Sequence, residues 1–235
     1  MRSIWIGYDP READGYAVAR ASIRRHAEVP YLIMPVSLSA VRHAGLYRRP
    51  TSCRDGKLWD DISEAAMSTE FAVSRFLVPR LAGSGWALFA DCDVLVRKDI
   101  GQLFDMADDR YAAMCVKHAH VPTEATKMGG HAQTHYPRKN WSSVVLYNCD
   151  HPANKALTVD LINTVPGRDL HRFCWLADDL IGDLPVEWNW LAGVSLPVDD
   201  PALVHFTLGI PSLPDCKDMP YADEWRDELS RWLEP

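Results

Sequence analysis

The stretch WALFADCDVLV, residues 86–96, joins an apolar run to two acidic residues and decides the fold class. An uninterrupted apolar run such as WALFA is typical of a strand that is buried on both faces of a parallel sheet. Asp91 and Asp93 follow directly, and residues two apart in an extended chain point to the same side. The sequence therefore predicts two carboxylates at the carboxyl end of a strand, where open α/β sheets bind ligands.

The residues around this stretch alternate between strand-like and helix-like patterns. Further strands are predicted at IWIGY (4–8), YLIMPV (31–36), YAAMCVK (111–117), SSVVLYN (142–148) and LVHF (203–206). Helices are predicted over 10–26, 71–81, 98–106, 153–164, 169–176 and 221–233. Pro79 should bend or end the second of these helices. This alternation predicts an α/β fold with a mainly parallel sheet that helices cover on both faces.

Two polar stretches interrupt the alternation. Residues 39–64 are predicted to be loop or irregular structure. Residues 118–141 contain four histidines, a Gly-Gly pair and several basic residues, which predicts a long polar loop. Long loops in compact domains are usually functional or mobile, so this second loop is expected to order over a bound ligand.

Length, composition and charge exclude several classes of protein. The 235 residues are 47% apolar, which favours one folded domain over a disordered chain. The net charge of −7 lacks the basic surface of a general nucleic-acid binder. No apolar run approaches membrane-spanning length, and no signal peptide is recognisable. A cytoplasmic protein without an integral membrane segment is expected, and peripheral contact with a membrane stays open.

The acidic pair indicates a metal site. Two like charges held close together are costly unless something positive lies between them. Hard divalent cations bind carboxylate oxygens and also bridge to phosphate oxygens. Alternatively, Asp91 and Asp93 are solvated residues at a strand end, one of which caps the helix near 99–106.

The order of the motifs resembles glycosyltransferase family 8 of the GT-A fold, which includes glycogenin and bacterial galactosyltransferases. The Asp91-Cys92-Asp93 triplet matches the DxD motif of that family, and VHFTLGIPSL offers His205 for the histidine that completes its metal site. The Lys-Pro-Trp part of that segment is missing, so the family lysine that touches the diphosphate has no counterpart. The resemblance covers about residues 3–210. It implies a GT-A-like single domain over 1–235, with a Rossmann-like nucleotide-binding half (about 1–117) and an acceptor- and sugar-facing half (about 118–235).

Four further segments match the family in order: IGYDPREADGY, SRFLVPRL, WSSVVLYN and LADDLIGDLPVEWNWL. The resemblance implies that the donor contacts Tyr8, Asp9, Tyr16, Arg75, Asp91 and Asp93, that Asp91, Asp93 and His205 hold the metal, and that Asp178 and Asp179 face the sugar as catalytic residues. Asp9 is equally well placed to cap the helix that follows it. Asp178 and Asp179 could likewise cap a short helix.

The resemblance implies a metal-dependent enzyme that transfers a hexose from a UDP-sugar to a carbohydrate, lipid or protein acceptor with retention of configuration. A site of two carboxylates and an imidazole favours Mn²⁺ over Mg²⁺, although either ion is compatible. One alternative is a phosphatase of the haloacid-dehalogenase type, in which Asp91 attacks phosphorus and an acyl-phosphate can be trapped. Another is a catalytically decayed module that binds nucleotide and metal but consumes no donor.

Overall fold

The computed structural model describes residues 2–118, 126–127, 131–132, 138 and 140–233. The strands are β1 (Arg2–Tyr8), β2 (Leu32–Ser37), β3 (Thr51–Arg54), β4 (Lys57–Asp60), β5 (Ala65–Ala66), β6 (Trp86–Ala90), β7 (Val94–Val96), β8 (Ala113–Cys115), β9 (Thr126–Lys127), β10 (His131–Ala132), β11 (Val144–Asn148), β12 (Ile181–Asp183), β13 (Trp190–Leu191) and β14 (Leu203–His205). The α-helices are α1 (Ala13–His26), α2 (Leu38–His43), α3 (Val78–Ala82), α4 (Gly101–Asp105), α5 (Val159–Thr164), α6 (Gly167–His171) and α7 (Ala222–Leu233). Short 3₁₀ helices lie at Pro10–Glu12, Ser74–Leu77, Trp141–Ser143, Pro152–Ala156, Asp178–Leu180, Val186–Asn189 and Pro214–Cys216.

A six-stranded sheet with the order β12-β8-β11-β6-β1-β2 forms the centre of the molecule. Strand β11 runs antiparallel to its neighbours β6 and β8, while the other neighbouring strands are parallel. The apolar run of β6 is fully or nearly fully buried after Trp86, as expected for a central strand. The prediction of an α/β fold with a mixed, mainly parallel sheet is confirmed.

A second sheet has the strand order β13-β14-β7 and begins close to where β6 of the central sheet ends. Strand β7 begins directly after the acidic pair, and β14 pairs with it in antiparallel register, with His205 opposite Val94. Helices α1 and α7 pack against this sheet, and Trp225 of α7 is completely buried there. This small sheet brings a distant part of the chain to the end of β6.

The prediction of irregular structure over 39–64 is wrong. Helix α2 occupies the start of this region, and β3, β4 and β5 form an antiparallel sheet in the rest. Asp55 and Gly56 connect β3 to β4 with φ angles of 50° and 73°. An Asp-Gly pair with two positive φ angles is the preferred loop of a two-residue hairpin, so this dipeptide was the overlooked signal.

The predicted helix over 71–81 is also wrong in its bounds and in the role of Pro79. The structure has a 3₁₀ helix at Ser74–Leu77 that leads into α3, and Pro79 lies in the first turn of α3. Proline is tolerated there because a first-turn N–H has no partner within the helix. Pro79 therefore helps to begin a helix, and Gly83, with a φ of 79°, ends it.

The predicted helix over 10–26 divides into a 3₁₀ helix and α1, and α7 follows its predicted bounds closely, whereas the other helices are shorter than predicted. The segment 153–164 divides into a 3₁₀ helix and α5, and α6 ends at His171, two residues before Phe173 with its φ of 54°. The predicted loop over 118–141 lies largely outside the described residues. None of the helices in the described part of the chain combines the length and apolar character needed to cross a lipid bilayer.

Candidate metal centre

The end of β6 directs both aspartates into one cavity. The Asp91 N–H donates to the backbone oxygen of Ser143 at 2.8 Å, which continues the pairing of β6 with β11 by one residue. Cys92 is completely buried in the main core. The carboxylates on either side of Cys92 therefore point the other way, into a cavity of about 360 Å³ that both of them line.

The register between β7 and β14 brings His205 to the same place. The Phe206 N–H donates to the backbone oxygen of Asp93 at 2.8 Å, and His205 Nε2 lies 3.2 Å from Asp93 Oδ1. One ligand atom from each of Asp91, Asp93 and His205 lies within 4.8 Å of the other two. Side chains more than 100 positions apart in sequence thus converge, as the sequence analysis expects.

A chain of hydrogen bonds fixes the orientation of His205. Ser143 donates its hydroxyl proton to the backbone oxygen of Asn140 at 2.7 Å, so Ser143 Oγ is left as an acceptor. Asn189 Nδ2 donates to Ser143 Oγ at 3.0 Å. This bond turns Asn189 Oδ1 toward His205 Nδ1, which lies 2.9 Å away. His205 Nδ1 must therefore carry a proton, and Nε2 faces Asp93. An imidazole held in this way presents the lone pair that a metal requires.

The carboxylate oxygens of the acidic pair fit a cation. Asp91 Oδ1 and Asp93 Oδ1 are buried and accept no hydrogen bond from the described residues, although each has a charged neighbour. Burial and the negative charge of Asp93 raise the pKa of Asp91. The positive charge of Arg75, 2.7 Å away, opposes this rise without cancelling it. Two carboxylates with open lone pairs and an oriented imidazole are a donor set that a divalent metal such as Mn²⁺ accepts.

The charge on His205 depends on Asp93. Burial by itself would lower the pKa of His205, but the Asp93 carboxylate outweighs burial and raises it. The same contact lowers the pKa of Asp93 against the opposing effect of its own burial. The proton on His205 Nε2, which faces Asp93, therefore lies where a metal would bind, and metal binding should release that proton.

Glu12 is a third acidic group at the cavity, and the sequence patterns did not predict it. Its side chain lines the cavity, and Cys92 Sγ donates to Glu12 Oε2 at 3.0 Å. Burial, followed by the negative charge of Asp93, raises the pKa of Glu12 to about 7. An acidic residue in the turn just after Asp9-Pro10 was the available signal, because that turn follows the carboxyl end of β1.

The structure places the predicted donor-contacting residues in three different settings. Arg75 lines the cavity and forms its ion pair with Asp91, and the rings of Phe71 and Phe89 pack beside its guanidinium. Asp9 is completely buried and caps the following turn by accepting from the Arg11 N–H at 2.9 Å. The half-buried rings of Tyr8 and Tyr16 meet edge to face, with centroids 5.2 Å apart. The donor contacts assigned to Tyr8, Asp9 and Tyr16 stay predictions.

The structure does not bring Asp178 and Asp179 to the cavity. Both side chains are exposed in the turn before β12, which is an edge strand of the central sheet, and Asp178 forms an ion pair with Arg138. The polar groups that face the cavity from the second half of the chain include Ser142 and His171, which the sequence analysis did not single out. The sugar-facing role of Asp178 and Asp179 stays a prediction that their placement does not support.

Replacement of Asn189 by leucine is expected to weaken Mn²⁺ binding by about 10- to 100-fold, because His205 loses the partner that orients it. Titration calorimetry with Mn²⁺ measures the effect. Asn154→Leu is the matched control, since Asn154 is also a buried asparagine, and it bonds to the backbone oxygens of Ala112 and Asn148. Both variants should lose thermal stability, but Asn154→Leu should keep its Mn²⁺ affinity. Equal Mn²⁺ affinity in both variants would show that Asn189 does not position His205.

Solved structures of glycosyltransferases share this fold. The bifunctional glycosyltransferase WbbM superposes with a TM-score of 0.66 and 15% identity, covering 97% of this chain, which spans 49% of the WbbM chain. The galactosyltransferase LgtC gives a TM-score of 0.61 and 15% identity over 100% of this chain and 97% of its own. GlyE of Streptococcus pneumoniae TIGR4 gives a TM-score of 0.62 and 14% identity over 100% of this chain and 62% of the GlyE chain. The fold is therefore the GT-A glycosyltransferase fold, similar to that of family 8 as the sequence motifs imply.

The sequence comparison places the chain within a family. It is 46% identical to Protein CDI of Arabidopsis thaliana over an alignment that covers 97% of this chain and 86% of that protein. The chain belongs to the family of Protein CDI. No model of a protein family matches the sequence.

Proposed function

We propose that this chain is a metal-dependent glycosyltransferase that moves a hexose from a UDP-sugar to a carbohydrate, lipid or protein acceptor with retention of configuration. The observation that carries the proposal is the convergence of Asp91, Asp93 and His205 beside a cavity of about 360 Å³. This volume lies within the range of small-molecule sites. The glycosyltransferase fold supports this interpretation over the phosphatase alternative.

The two halves of the chain contribute different groups to the cavity. Glu12, Arg75 and the acidic pair come from the predicted nucleotide-binding half (about 1–117), and Ser142, His171 and His205 come from the half at about 118–235. This division supports the proposal that the first half holds the nucleotide while the second faces sugar and acceptor.

The chemistry requires stabilisation of negative charge, because a nucleoside diphosphate gains charge as it leaves the sugar. Asp91, Asp93 and His205 would hold a divalent metal, which would act as a Lewis acid toward the diphosphate oxygens. Arg75 adds a fixed positive charge on the same wall and keeps the Asp91 carboxylate in place through its ion pair. The Arg75 guanidinium and the three side chains that would hold the metal are already oriented, so little reorganisation would be needed when charge develops.

Donor hydrolysis without acceptor tests the proposal. The protein is incubated with UDP-glucose or UDP-galactose and Mn²⁺, and the released sugar is followed by proton NMR. We expect slow release of one sugar, first as the α-anomer because the donor is α-linked and the proposed reaction retains configuration. A chelator should stop the release.

Two outcomes would contradict different parts of the proposal. UDP binding without consumption of any nucleotide sugar, even with candidate acceptors, would favour a binding module. Initial release of the β-anomer would overturn retention alone and leave the glycosyltransferase assignment intact.

A further inference from the structure

Ser142 and His171 form a polar pair on the cavity wall that the metal centre does not use. Ser142 Oγ lies 2.7 Å from His171 Nδ1, and both residues line the cavity. Arg75 donates to the backbone oxygen of Ser142 at 3.0 Å while it forms its ion pair with Asp91. Arg75 therefore contacts both the backbone of Ser142 and the Asp91 carboxylate, so the pair and the metal ligands border the same cavity.

The pair is uncharged. Burial, and then the charge of Arg75, lowers the pKa of His171 to about 3, so the imidazole is neutral at neutral pH. A neutral imidazole has one N–H and one lone pair. If Ser142 donates to Nδ1, His171 Nε2 carries the proton and donates. If Nδ1 donates to Ser142, the serine hydroxyl donates and Nε2 accepts. In both arrangements the pair can donate to a ligand and accept from it.

This combination matches a hydroxyl group better than a phosphate. A hydroxyl both donates and accepts, whereas a phosphate at neutral pH mainly accepts and favours cations such as Arg75. The His171 ring is fixed by an edge contact with Phe76, at a centroid distance of 5.2 Å. Its Nε2 has no hydrogen-bond partner among the residues that the structure describes. Within the described part of the chain, the imidazole is held through Nδ1 and its ring face or edge, and Nε2 is left available for a ligand.

We infer that His171 and Ser142 together recognise a hydroxyl group of the transferred sugar and so determine which donor the protein accepts. The inference rests on the proposed glycosyltransferase function and adds the residues that select the sugar. Sites built to bond a hydroxyl discriminate strongly against analogues that lack it, because the polar groups of the site are left unpaired.

The test combines protein variants with donor analogues. The better donor of UDP-glucose and UDP-galactose is compared with its 2-, 3-, 4- and 6-deoxy analogues by their kcat/KM for hydrolysis. In the wild type, removal of one hydroxyl should lower kcat/KM by about tenfold or more. His171→Leu should lower kcat/KM for the parent donor by about tenfold and abolish the penalty for that same analogue.

Further variants separate recognition from a structural role. His171→Gln should restore part of the discrimination, since its amide can donate and accept near the position of Nε2. Ser142→Ala combined with His171→Leu should cost little more than His171→Leu alone, because the two residues act as a unit. His43→Leu replaces an exposed histidine of α2 and should leave all rates unchanged. The Kd for UDP with Mn²⁺ should stay within about twofold in each variant, since the pair faces the sugar.

Three results would overturn the inference. If His171→Leu keeps the full deoxy penalty at every position, the pair does not bind a sugar hydroxyl. If it weakens UDP alone as much as the UDP-sugar, the pair acts on the nucleotide. In either case wild-type donor consumption still supports the proposed function. If the wild type consumes no nucleotide sugar, the proposed function and this inference fail together.

Discussion

Replacement of Asp93 by alanine is expected to weaken UDP binding in the presence of Mn²⁺ by about 100-fold or more, equivalent to about 2.8 kcal/mol. Asp93 supplies one of the two carboxylates and contacts His205 at 3.2 Å, so its loss removes one ligand and disturbs another. Truncation of one member of a charged, buried set leaves its partners uncompensated. Titration calorimetry with UDP, with and without Mn²⁺, measures the effect.

The control for this variant is Asp105→Ala, which removes an exposed carboxylate that pairs with Arg2 at 2.8 Å. It should leave UDP affinity unchanged. Asp93→Asn keeps the shape of the side chain and should still lose most of the Mn²⁺-dependent affinity, because the missing charge is the reason for the loss. Unchanged UDP affinity in a folded Asp93→Ala protein would refute the metal site.

Replacement of Asp60 by asparagine is expected to lower the free energy of unfolding by about 3–5 kcal/mol, because it breaks a buried ion pair from one side. Asp60 and Arg49 are almost completely buried and are joined from Arg49 Nε to Asp60 Oδ1 at 3.0 Å. Arg49 Nη1 also donates to the backbone oxygens of Ile162 and Val165, each at 2.7 Å. The Arg49–Asp60 pair therefore connects the β3-β4-β5 sheet to the segment that leads into α6 and His171. Urea unfolding measures the loss.

The matched control is the neighbouring Asp61→Asn. Asp61 pairs with Arg54 at 3.0 Å in a partly exposed position, so the cost should be about 1 kcal/mol or less. A similar loss of stability in both variants would contradict the importance of burial at Asp60.

The stabilisation from Asp60 should also depend on pH. Burial alone would raise the pKa of Asp60, but the hydrogen bond from Arg49, the next largest influence, helps to hold it below the ordinary value. A lowered pKa in the folded state contributes stability above the pKa of the unfolded aspartate, about 3.9, and that stability is lost as pH falls through the folded pKa. The difference between wild type and Asp60→Asn should therefore be constant from about pH 5 to 7 and shrink below about pH 4.

The central strand and the acidic pair could be predicted because their signals are local. The apolar run of β6 and the two-residue spacing of Asp91 and Asp93 need no knowledge of the rest of the chain. The resemblance also identified His205, whose position depends on the pairing of β14 with β7. The antiparallel direction of β11 within the sheet could not be derived from its apolar composition, which fits either direction.

The rest of the site could not be predicted, because it depends on tertiary contacts. Asn189 orients His205 only because a 3₁₀ helix brings it next to Ser143, and no sequence spacing encodes that contact. His171, the last residue of α6, lines the cavity, whereas the sequence pattern extends that helix to 176. The placement of Asp178 outside the cavity likewise depends on the edge position of β12.

The most direct test of the metal site is a crystal of the protein grown with UDP and Mn²⁺, with anomalous diffraction measured at the manganese edge. We expect one strong peak at roughly 2.0–2.6 Å from a carboxylate oxygen of Asp91, a carboxylate oxygen of Asp93 and Nε2 of His205. A manganese peak elsewhere, with UDP bound and these three side chains left without a metal, would contradict the account.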